Sequence, residues 1–310
     1  MKVLAISSGS KNGSNDAMAK EALMGAKEHG AEVEFIRLLD LDLKPCTGCI
    51  ACVAGMMQGG HGNCIIKDDF NWLDAKVQEA DGLIWTTPIF EKGAPGVLHV
   101  VQDRLCGPGH DPGINAVARE IAGKMGKPGP DPKKTAPKAT SFISIGGSDW
   151  FTRISAVMNT MAMATMWKVI DDQVFSWSKS IILDDAAVAK CRQVGVNMVK
   201  AVTDLANAKY NGDQGVCPHC HCRNFFLHGD GTAECEVCGI RGQLKIENNR
   251  FVFCFADDQL SHAHNTMSGK KIHMDDIYRN ETKLAADRKS QEFRTRQDKY
   301  KEFISSTRPH

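Results

Sequence analysis

The sequence lacks an excess of charge of either sign. Its 310 residues include 38 lysines and arginines and 37 aspartates and glutamates, which leaves a formal net charge of +1. Proteins that hold nucleic acid or an anionic membrane surface by bulk electrostatics carry a clear basic surplus. The balance therefore gives no support to either partner. The sequence also shows no internal repeat and no low-complexity segment.

Long apolar runs and a secretory signal are also missing. No apolar stretch approaches the roughly 20 residues that cross a bilayer. The opening MKVLAISSG lacks the charged-then-apolar layout of a signal peptide. We therefore expect a cytoplasmic protein. Thiols stay reduced in that compartment, so regularly spaced cysteines favour metal or redox chemistry over disulfide bonds.

Apolar runs and amphipathic stretches alternate along the first two thirds of the chain. The expected strands are 2–7, 33–38, 82–87, 139–145 and 169–177, and the expected helices are 17–26, 70–80, 94–105, 151–166 and 185–208. This alternation predicts an α/β fold, a doubly wound five-stranded parallel sheet. The Gly- and Pro-rich segment 106–138 is expected to be a long loop that serves as a lid or a dimer contact.

The chain is longer than a usual single domain, which favours one large domain with an appendage. Residues 211–215 read Asn-Gly-Asp-Gln-Gly and break the last predicted helix. We expect a sheet domain over 1–211, a small β module over 212–256 and a partly helical extension over 257–310.

The loop after the first predicted strand carries polar groups that suit a phosphate. It runs from Ser8 to Asn15 and leads into a helix, whose first N–H groups and dipole attract anions. The candidate phosphate ligands are Ser8, Ser10, Lys11, Ser14 and Asn15. The loop matches neither G-x-G-x-x-G nor G-x-x-x-x-G-K-[ST], which removes the main support for a dinucleotide or a nucleoside triphosphate. An ordinary capped turn is the alternative.

Two further loops should meet the same ligand, because ligands of open α/β sheets bind beyond the carboxyl ends of the strands. Glycines there let the backbone approach a flat ring, and the aromatic side chains can cover its faces. The candidate residues are Pro88, Ile89, Phe90 and Glu91 in one loop and Gly146, Gly147, Asp149 and Trp150 in the other. Together the three loops predict a flat, phosphorylated cofactor.

Four cysteines near residue 230 have the spacing of a zinc ribbon. Cys217-x2-Cys220 and Cys235-x2-Cys238 are separated by 14 residues, and two such knuckles supply four thiolates to a tetrahedral Zn²⁺. With four ligands the zinc would be structural, and a module this small needs it to fold. Rubredoxin-like iron and free thiols are the alternatives. The segment is not basic enough to favour nucleic acid, and we expect it to be structural or to bridge a dimer.

A second group consists of Cys46, Cys49, Cys52 and Cys64. Three thiolates two residues apart, followed by a fourth, can wrap a [4Fe–4S] cluster. The last gap, of 11 residues, is long for that role. A set of reduced thiols therefore stands as an equal alternative, and a structural zinc is a third.

Several short motifs in one order give the chain a family resemblance over roughly residues 1–205. They are Gly9 to Asn15, Pro45-Cys46-Thr47-Gly48-Cys49, Cys64 with Lys67-Asp68-Asp69, Ala80-Asp81-Gly82, Thr87 to Phe90, Asp103-Arg104 and Gly146-Gly147. The sequence resembles the flavodoxin-like NAD(P)H-dependent FMN reductases, including the iron–sulfur flavoproteins. By this resemblance Ser8, Ser10, Ser14 and Asn15 hold the FMN phosphate, while Pro88 to Glu91 and Gly146 to Trp150 frame the isoalloxazine.

The resemblance implies an enzyme that passes electrons from NAD(P)H through FMN to a quinone-like, nitro or other electron-poor acceptor. A cluster in the first cysteine group would let the electrons leave one at a time. A non-enzymatic iron–sulfur flavoprotein that carries electrons between redox proteins is the alternative function. A zinc-ribbon regulatory or nucleic-acid-binding module without flavin is a third. We also expect a homo-oligomer, either a dimer or a tetramer.

Overall fold

A computed structural model describes residues 1–107 and 109–309. The strands of its larger sheet are β1 (Lys2–Ser7), β2 (Glu32–Arg37), β3 (Gly82–Pro88), β4 (Ala139–Ile145) and β5 (Lys168–Phe175). All neighbours pair in parallel, in the order β2-β1-β3-β4-β5. This order is that of flavodoxin-like folds and confirms the predicted fold class. It brings the carboxyl ends of β1, β3 and β4 together at one edge.

Helices cover both faces of this sheet. The helices of the described chain are α1 (Ser14–Glu28), α2 (Ala51–Met57), α3 (Phe70–Glu79), α4 (Gly96–Leu105), α5 (Pro112–Lys124), α6 (Ile154–Thr165), α7 (Asp185–Thr203), α8 (Met267–Asp287) and α9 (Gln291–Phe303). Buried side chains of α1 and α7 form the core on one face, and those of α3, α4 and α6 form the core on the other. Burial of both faces explains the apolar runs at the centres of β1 and β3.

Two glycines bring α1 and α7 into backbone contact. A Cβ atom added to Gly195 would lie 1.8 Å from the carbonyl oxygen of Ala22, and one added to Gly25 would lie 2.2 Å from that of Arg192. No side chain fits at either position. The two glycines therefore set the distance between these helices.

The segment 106–138 is not the long loop that its glycines and prolines predict, because it contains α5. Asp111 caps this helix by accepting hydrogen bonds from the backbone N–H of Gly113, at 2.8 Å, and of Ile114. Pro112 occupies the first turn, where its missing N–H costs nothing. Ala118 then packs in a small core with Met56 of α2. Glycine and proline here mark the ends of a helix.

Helix bounds differ from the prediction mainly at the termini. The last helix of the sheet domain ends at Thr203 rather than at residue 208, and α6 begins at Ile154 rather than at residue 151. Helix ends fray and depend on capping contacts that periodicity does not reveal.

The second sheet is antiparallel and small. Its strands are β6 (Phe225–Leu227), β7 (Ala233–Cys235), β8 (Arg241–Glu247) and β9 (Arg250–Cys254), paired in that order. Asn248 and Asn249, both with positive φ, make the tight turn between β8 and β9. Phe253 and Ile240 form its small core, which also packs against Ala156 of α6. The module is therefore seated on the larger domain.

One lysine anchors the C-terminal helices. Lys270, in the first turns of α8, is 3% exposed. Its ammonium donates to Asp111 Oδ2, at 2.7 Å, and to the carbonyl oxygen of Ala164, at 2.8 Å. Beyond this contact α8 and all of α9 are largely exposed. The helical part of the extension begins at Met267, inside the range 257–310 expected for it. Within the described residues, no helix is long and apolar enough to cross a membrane.

Candidate functional site

Three loops at the carboxyl edge of the sheet are joined by backbone hydrogen bonds. Ser8 N donates to the carbonyl oxygen of Thr86, at 2.9 Å, and Ile89 N donates to that of Ile145, at 3.0 Å. The loops after β1, β3 and β4 therefore form one continuous surface. This is where a doubly wound sheet binds its ligand.

A buried carboxylate shapes the first loop. Asp16 is 2% exposed, and it accepts hydrogen bonds from the Ser7 hydroxyl, at 2.7 Å, and from the backbone N–H of Asn12, at 2.8 Å. Asn12 has a positive φ of 57°, a conformation that asparagine tolerates. The two contacts curl the loop back over the start of α1.

The start of α1 is suited to an anion. Its N-cap is Gly13, and no side chain caps the helix. The N–H groups of the first turn thus remain available, and the helix dipole adds a positive field. Exposed Ser10 and Lys11 flank this turn. The donors and the field fit a phosphate group.

The predicted phosphate ligands do not all point the same way. Ser8 is buried, and its hydroxyl donates to Thr87 Oγ1, at 2.9 Å, so it joins β1 to β3. The Ser14 hydroxyl donates to the carbonyl oxygen of Lys179, at 2.9 Å. Asn15 is nearly buried beside Gly9. Their role as phosphate ligands stays a prediction, and the hydroxyls of Ser8 and Ser14 are both already engaged.

The second loop is a tight two-residue turn. Phe90 and Gly93 exchange backbone hydrogen bonds of 2.9 and 2.8 Å. Between them Glu91 and Lys92 both have positive φ, at 47° and 68°. Non-glycine residues in this region carry strain, and such strain clusters at ligand sites. The turn holds the Phe90 ring out toward solvent, 60% exposed.

The third loop presents a second aromatic ring. Trp150 is 54% exposed, and the Lys92 ammonium lies 4.2 Å from the centre of its ring. Gly146 faces Ile89, where an added Cβ would lie 3.1 Å from the Ile89 side chain. Two exposed aromatic rings beside glycine backbone fit a flat ring system such as isoalloxazine.

The first cysteine group lies near this edge in a loop that contains α2. Cys46 and Cys49 are exposed, and Cys52 and Cys64 are partly buried. Hydrogen bonds from the backbone N–H of Ala51 and from Thr47 lower the pKa of Cys49. In the described chain these four sulfur atoms do not lie within 4.8 Å of one another. The structure therefore shows no single-ion site here.

A buried arginine holds the last of these cysteines. Arg104 Nη2 donates to Cys64 Sγ, at 3.2 Å, and the same guanidinium forms an ion pair with Asp68. The Arg104 side chain is 1% exposed and that of Asp68 is fully buried. Arg104 also donates to the carbonyl oxygen of Lys44, at 3.0 Å. One side chain thus fastens both ends of the cysteine loop.

The second cysteine group does converge. The sulfur atoms of Cys217, Cys220, Cys235 and Cys238 all lie within 4.8 Å of one another. Hydrogen bonds from the neighbouring thiols, that of Cys217 above all, hold the pKa of Cys235 well below its usual range. Four converging cysteine sulfurs suit a soft, tetrahedral divalent ion, which binds them as thiolates. The structure thus supports a metal site at these residues. Cys222 lies buried beside them.

The fold and the three loops agree with the sequence comparisons. The model of the NADPH-dependent FMN reductase family matches residues 1–179. The chain belongs to this family. It is therefore an NAD(P)H-dependent flavin oxidoreductase, and FMN is the flavin that the family implies.

Three relatives of this FMN reductase are informative. A solved structure described as a flavone reductase is 45% identical over the full length of both chains, with a TM-score of 0.90. Flavone synthase cfoJ of Aspergillus candidus is 24% identical over 292 residues, which cover 89% of this chain and 88% of that protein. An iron–sulfur flavoprotein of Methanocaldococcus jannaschii is 37% identical over 105 residues, which cover 34% of this chain and 51% of that protein.

Sequence reasoning missed two residues that shape the reductase's loops. In the sequence, Asp16 is simply an acidic residue at a helix start, where a carboxylate usually interacts favourably with the helix dipole. Arg104 was part of a family motif, but nothing in its spacing paired it with Cys64 and Asp68. Arg104 contacts residues that are far away in the sequence, and Asp16 contacts a loop that folds back over the start of α1. Such contacts leave no periodic signal.

We predict that Gly9→Ala weakens FMN binding by the reductase. An added Cβ would lie 2.6 Å from Asn15 Cβ, so the start of α1 must shift. Overpacking of this kind costs about 1–3 kcal/mol, which corresponds to roughly a 5- to 150-fold loss of affinity. FMN fluorescence titration of the apoprotein measures the effect. Gly123→Ala is the matched control, because an added Cβ meets nothing within 4 Å there. Equal FMN affinity in Gly9→Ala and the control would contradict the prediction.

Proposed function

We propose that this reductase transfers a hydride from NAD(P)H, through FMN, to a carbon–carbon double bond conjugated with a carbonyl, as in a flavone. The flavone reductase similarity carries the proposal, since it combines 45% identity with full coverage of both chains. Flavone synthase cfoJ adds support, because its name describes formation of the compound that a flavone reductase consumes. Two relatives thus concern the same ring system.

The proposed reaction balances without a further redox partner. NAD(P)H supplies the hydride, which adds to the carbon distant from the carbonyl, and water supplies the proton for the neighbouring carbon. When bound, FMN provides the two-electron relay that side chains cannot supply. The protein contributes binding and orientation.

The loops at the sheet edge are the proposed FMN site. The uncapped start of α1 would receive the phosphate, with the side chains of Ser10, Lys11 and Asn15 and the backbone N–H of Ser14 as donors. Phe90 would flank the isoalloxazine from the loop after β3. Backbone from Gly146 to Trp150 would frame the ring from the loop after β4. The strained turn at Glu91 and Lys92 supports this placement.

The ribbon cysteines are proposed to hold structural zinc. Four thiolates complete a tetrahedral shell and leave no position open for a substrate. The ribbon would therefore support the enzyme without taking part in its chemistry. The division into a flavin domain over 1–211, a ribbon over 212–256 and an extension over 257–310 is part of this proposal.

An electron relay is the second candidate function. The match to the Methanocaldococcus jannaschii iron–sulfur flavoprotein favours a [4Fe–4S] cluster at Cys46, Cys49, Cys52 and Cys64. Soft thiolates are the ligands that such a cluster requires. Iron and labile sulfide analysis of anaerobically purified protein decides between a cluster and four reduced thiols.

Anaerobic turnover with NADH or NADPH tests the proposed function. We expect FMN-loaded protein to consume unsubstituted flavone, which is followed by the loss of its conjugated absorption band. Menadione serves as a quinone acceptor in a parallel assay, and FMN-free protein is the negative control. If menadione is reduced and flavone is not, the enzyme is a quinone-type reductase and the acceptor proposal is wrong.

A further inference from the structure

A cavity of about 560 Å³ lies where the ribbon meets the larger domain. Its walls come from the start of α6 and the residues just before it, strand β5, the linker around Tyr210 and Asp213, and the ribbon, mainly its first knuckle. The volume falls within the range of small-molecule sites. Asn224 Nδ2 donates to the carbonyl oxygen of Thr152, at 3.2 Å, which fastens the knuckle to the rim.

The cavity contains a carboxylate with unused hydrogen-bonding capacity. Asp172 is 9% exposed, and its Oδ2 accepts from Asn159 Nδ2, at 2.8 Å. Its Oδ1 is buried and has no hydrogen-bond partner among the described residues. Burial raises the pKa of Asp172 to about 6, although the nearby Ser155 hydroxyl lowers it. The carboxylate therefore has the capacity to accept a further hydrogen bond from a bound molecule.

The neighbouring Asp171 shows that a carboxylate oxygen without a hydrogen-bond partner is not a general feature of β5. Asp171 is 2% exposed, and burial raises its pKa to about 6 as well. Both of its oxygens accept from Asn197, at 3.4 and 3.1 Å, and Gln173 donates to one of them. Asp171 lies on the opposite face of the strand and does not line the cavity. The unsatisfied acceptor is specific to the cavity side.

The rest of the wall favours a flat and uncharged ligand. The rings of Tyr210 and His221 stack, with centroids 4.1 Å apart and planes at 6°, and form a flat panel. Phe151 adds apolar surface. Asp213 and Arg223 both line the cavity, so the second acid is offset by a base. A neutral hydrogen-bond donor therefore matches this lining better than a cation.

We propose that this cavity binds a flat phenolic molecule whose hydroxyl donates a hydrogen bond to Asp172. The site is separate from the three loops assigned to FMN, although Phe151 directly follows Trp150 in the chain. It gives the ribbon a role in ligand binding beyond support, because residues of the first knuckle complete the wall.

Binding of 2-naphthol to the FMN-loaded protein tests the site, with 2-methoxynaphthalene as the probe that lacks a donor. Isothermal titration is performed without nicotinamide, so the result is independent of the redox chemistry. We expect Asp172→Asn to weaken 2-naphthol binding by about 10-fold or more, since hydrogen bonds to charged groups are the strong ones. The affinity for 2-methoxynaphthalene should stay unchanged.

Asp171→Asn is the matched control, and it should alter neither affinity. Tyr210→Ala removes the flat panel and should weaken both probes, which provides a second test if Asp172→Asn folds poorly. FMN content and NADPH–ferricyanide activity check that each variant retains its flavin site. Equal 2-naphthol affinity in wild type and Asp172→Asn, or no binding of 2-naphthol by the wild type, overturns the proposal.

Discussion

Replacing Cys238 with serine is expected to remove zinc from the protein and to unfold the ribbon while the parallel sheet stays folded. Cys238 is fully buried and belongs to the four-sulfur group. Binding of zinc by such sites contributes about 10–16 kcal/mol of apparent free energy near pH 7, and much of it is folding free energy. The core of the ribbon is too small to replace it. Zinc content should fall from about one per chain to near zero.

Limited proteolysis measures the structural consequence of Cys238→Ser. We expect rapid cleavage between residues 217 and 255, with a resistant fragment that retains FMN. Cys254→Ser is the matched control, because Cys254 lies on β9 of the same sheet and outside the metal group. A Cys238→Ser protein with full zinc content, or wild type that binds iron in preference to zinc, would show the assignment to be wrong.

Arg104→Met is expected to destabilise the reductase by about 3–5 kcal/mol, the usual cost of removing one partner of a buried ion pair. The change leaves the Asp68 carboxylate buried and without its partner. It also frees Lys44 and Cys64, so the cysteine loop should loosen. Urea denaturation measures the loss of stability, and the rate of thiol modification at Cys64 measures the loosening.

Arg192→Met is the matched control, since Arg192 pairs with Glu21 and Glu28 at the surface and is 38% exposed. Such pairs contribute about 0–1 kcal/mol. The pH dependence gives a second readout. The ion pair with Arg104 lowers the pKa of Asp68 from 3.8 to about 2. Its stabilisation is therefore present above pH 4 and is lost as the pH falls toward 2. If Arg104→Met unfolds at the same urea concentration as Arg192→Met, the ion pair is not stabilising.

Periodicity predicted the larger sheet because its central strands are buried on both faces. Runs such as Gly82–Pro88 and Ala139–Ile145 are apolar enough to be recognised without tertiary information. Helix α5 was missed for the opposite reason. Its capping residues, Asp111 and Pro112, are also turn formers, so a helix start resembled a loop.

The site was predictable only where side chains act through local geometry. The four ribbon cysteines converge because each knuckle brings its own pair together. The sequence alone does not distinguish Asp172 from other acidic residues. Its environment depends on Asn159 of α6 and on the ribbon, which begins about 40 residues after Asp172. Nor does the sequence show the inward orientation of Ser8, which depends on Thr87 of a neighbouring strand.

The backbone contact between α1 and α7 has a consequence for synthesis on the ribosome. The ion pair between Glu21 and Arg192 spans 171 positions in the sequence, and Gly25 meets the backbone of that same late helix. The apolar side of α1 therefore has no partner helix until almost two thirds of the polypeptide has been translated. Contacts of such long range are slow to form and leave apolar surface exposed meanwhile. Truncated products that end before residue 185 would present that surface to chaperones and proteases.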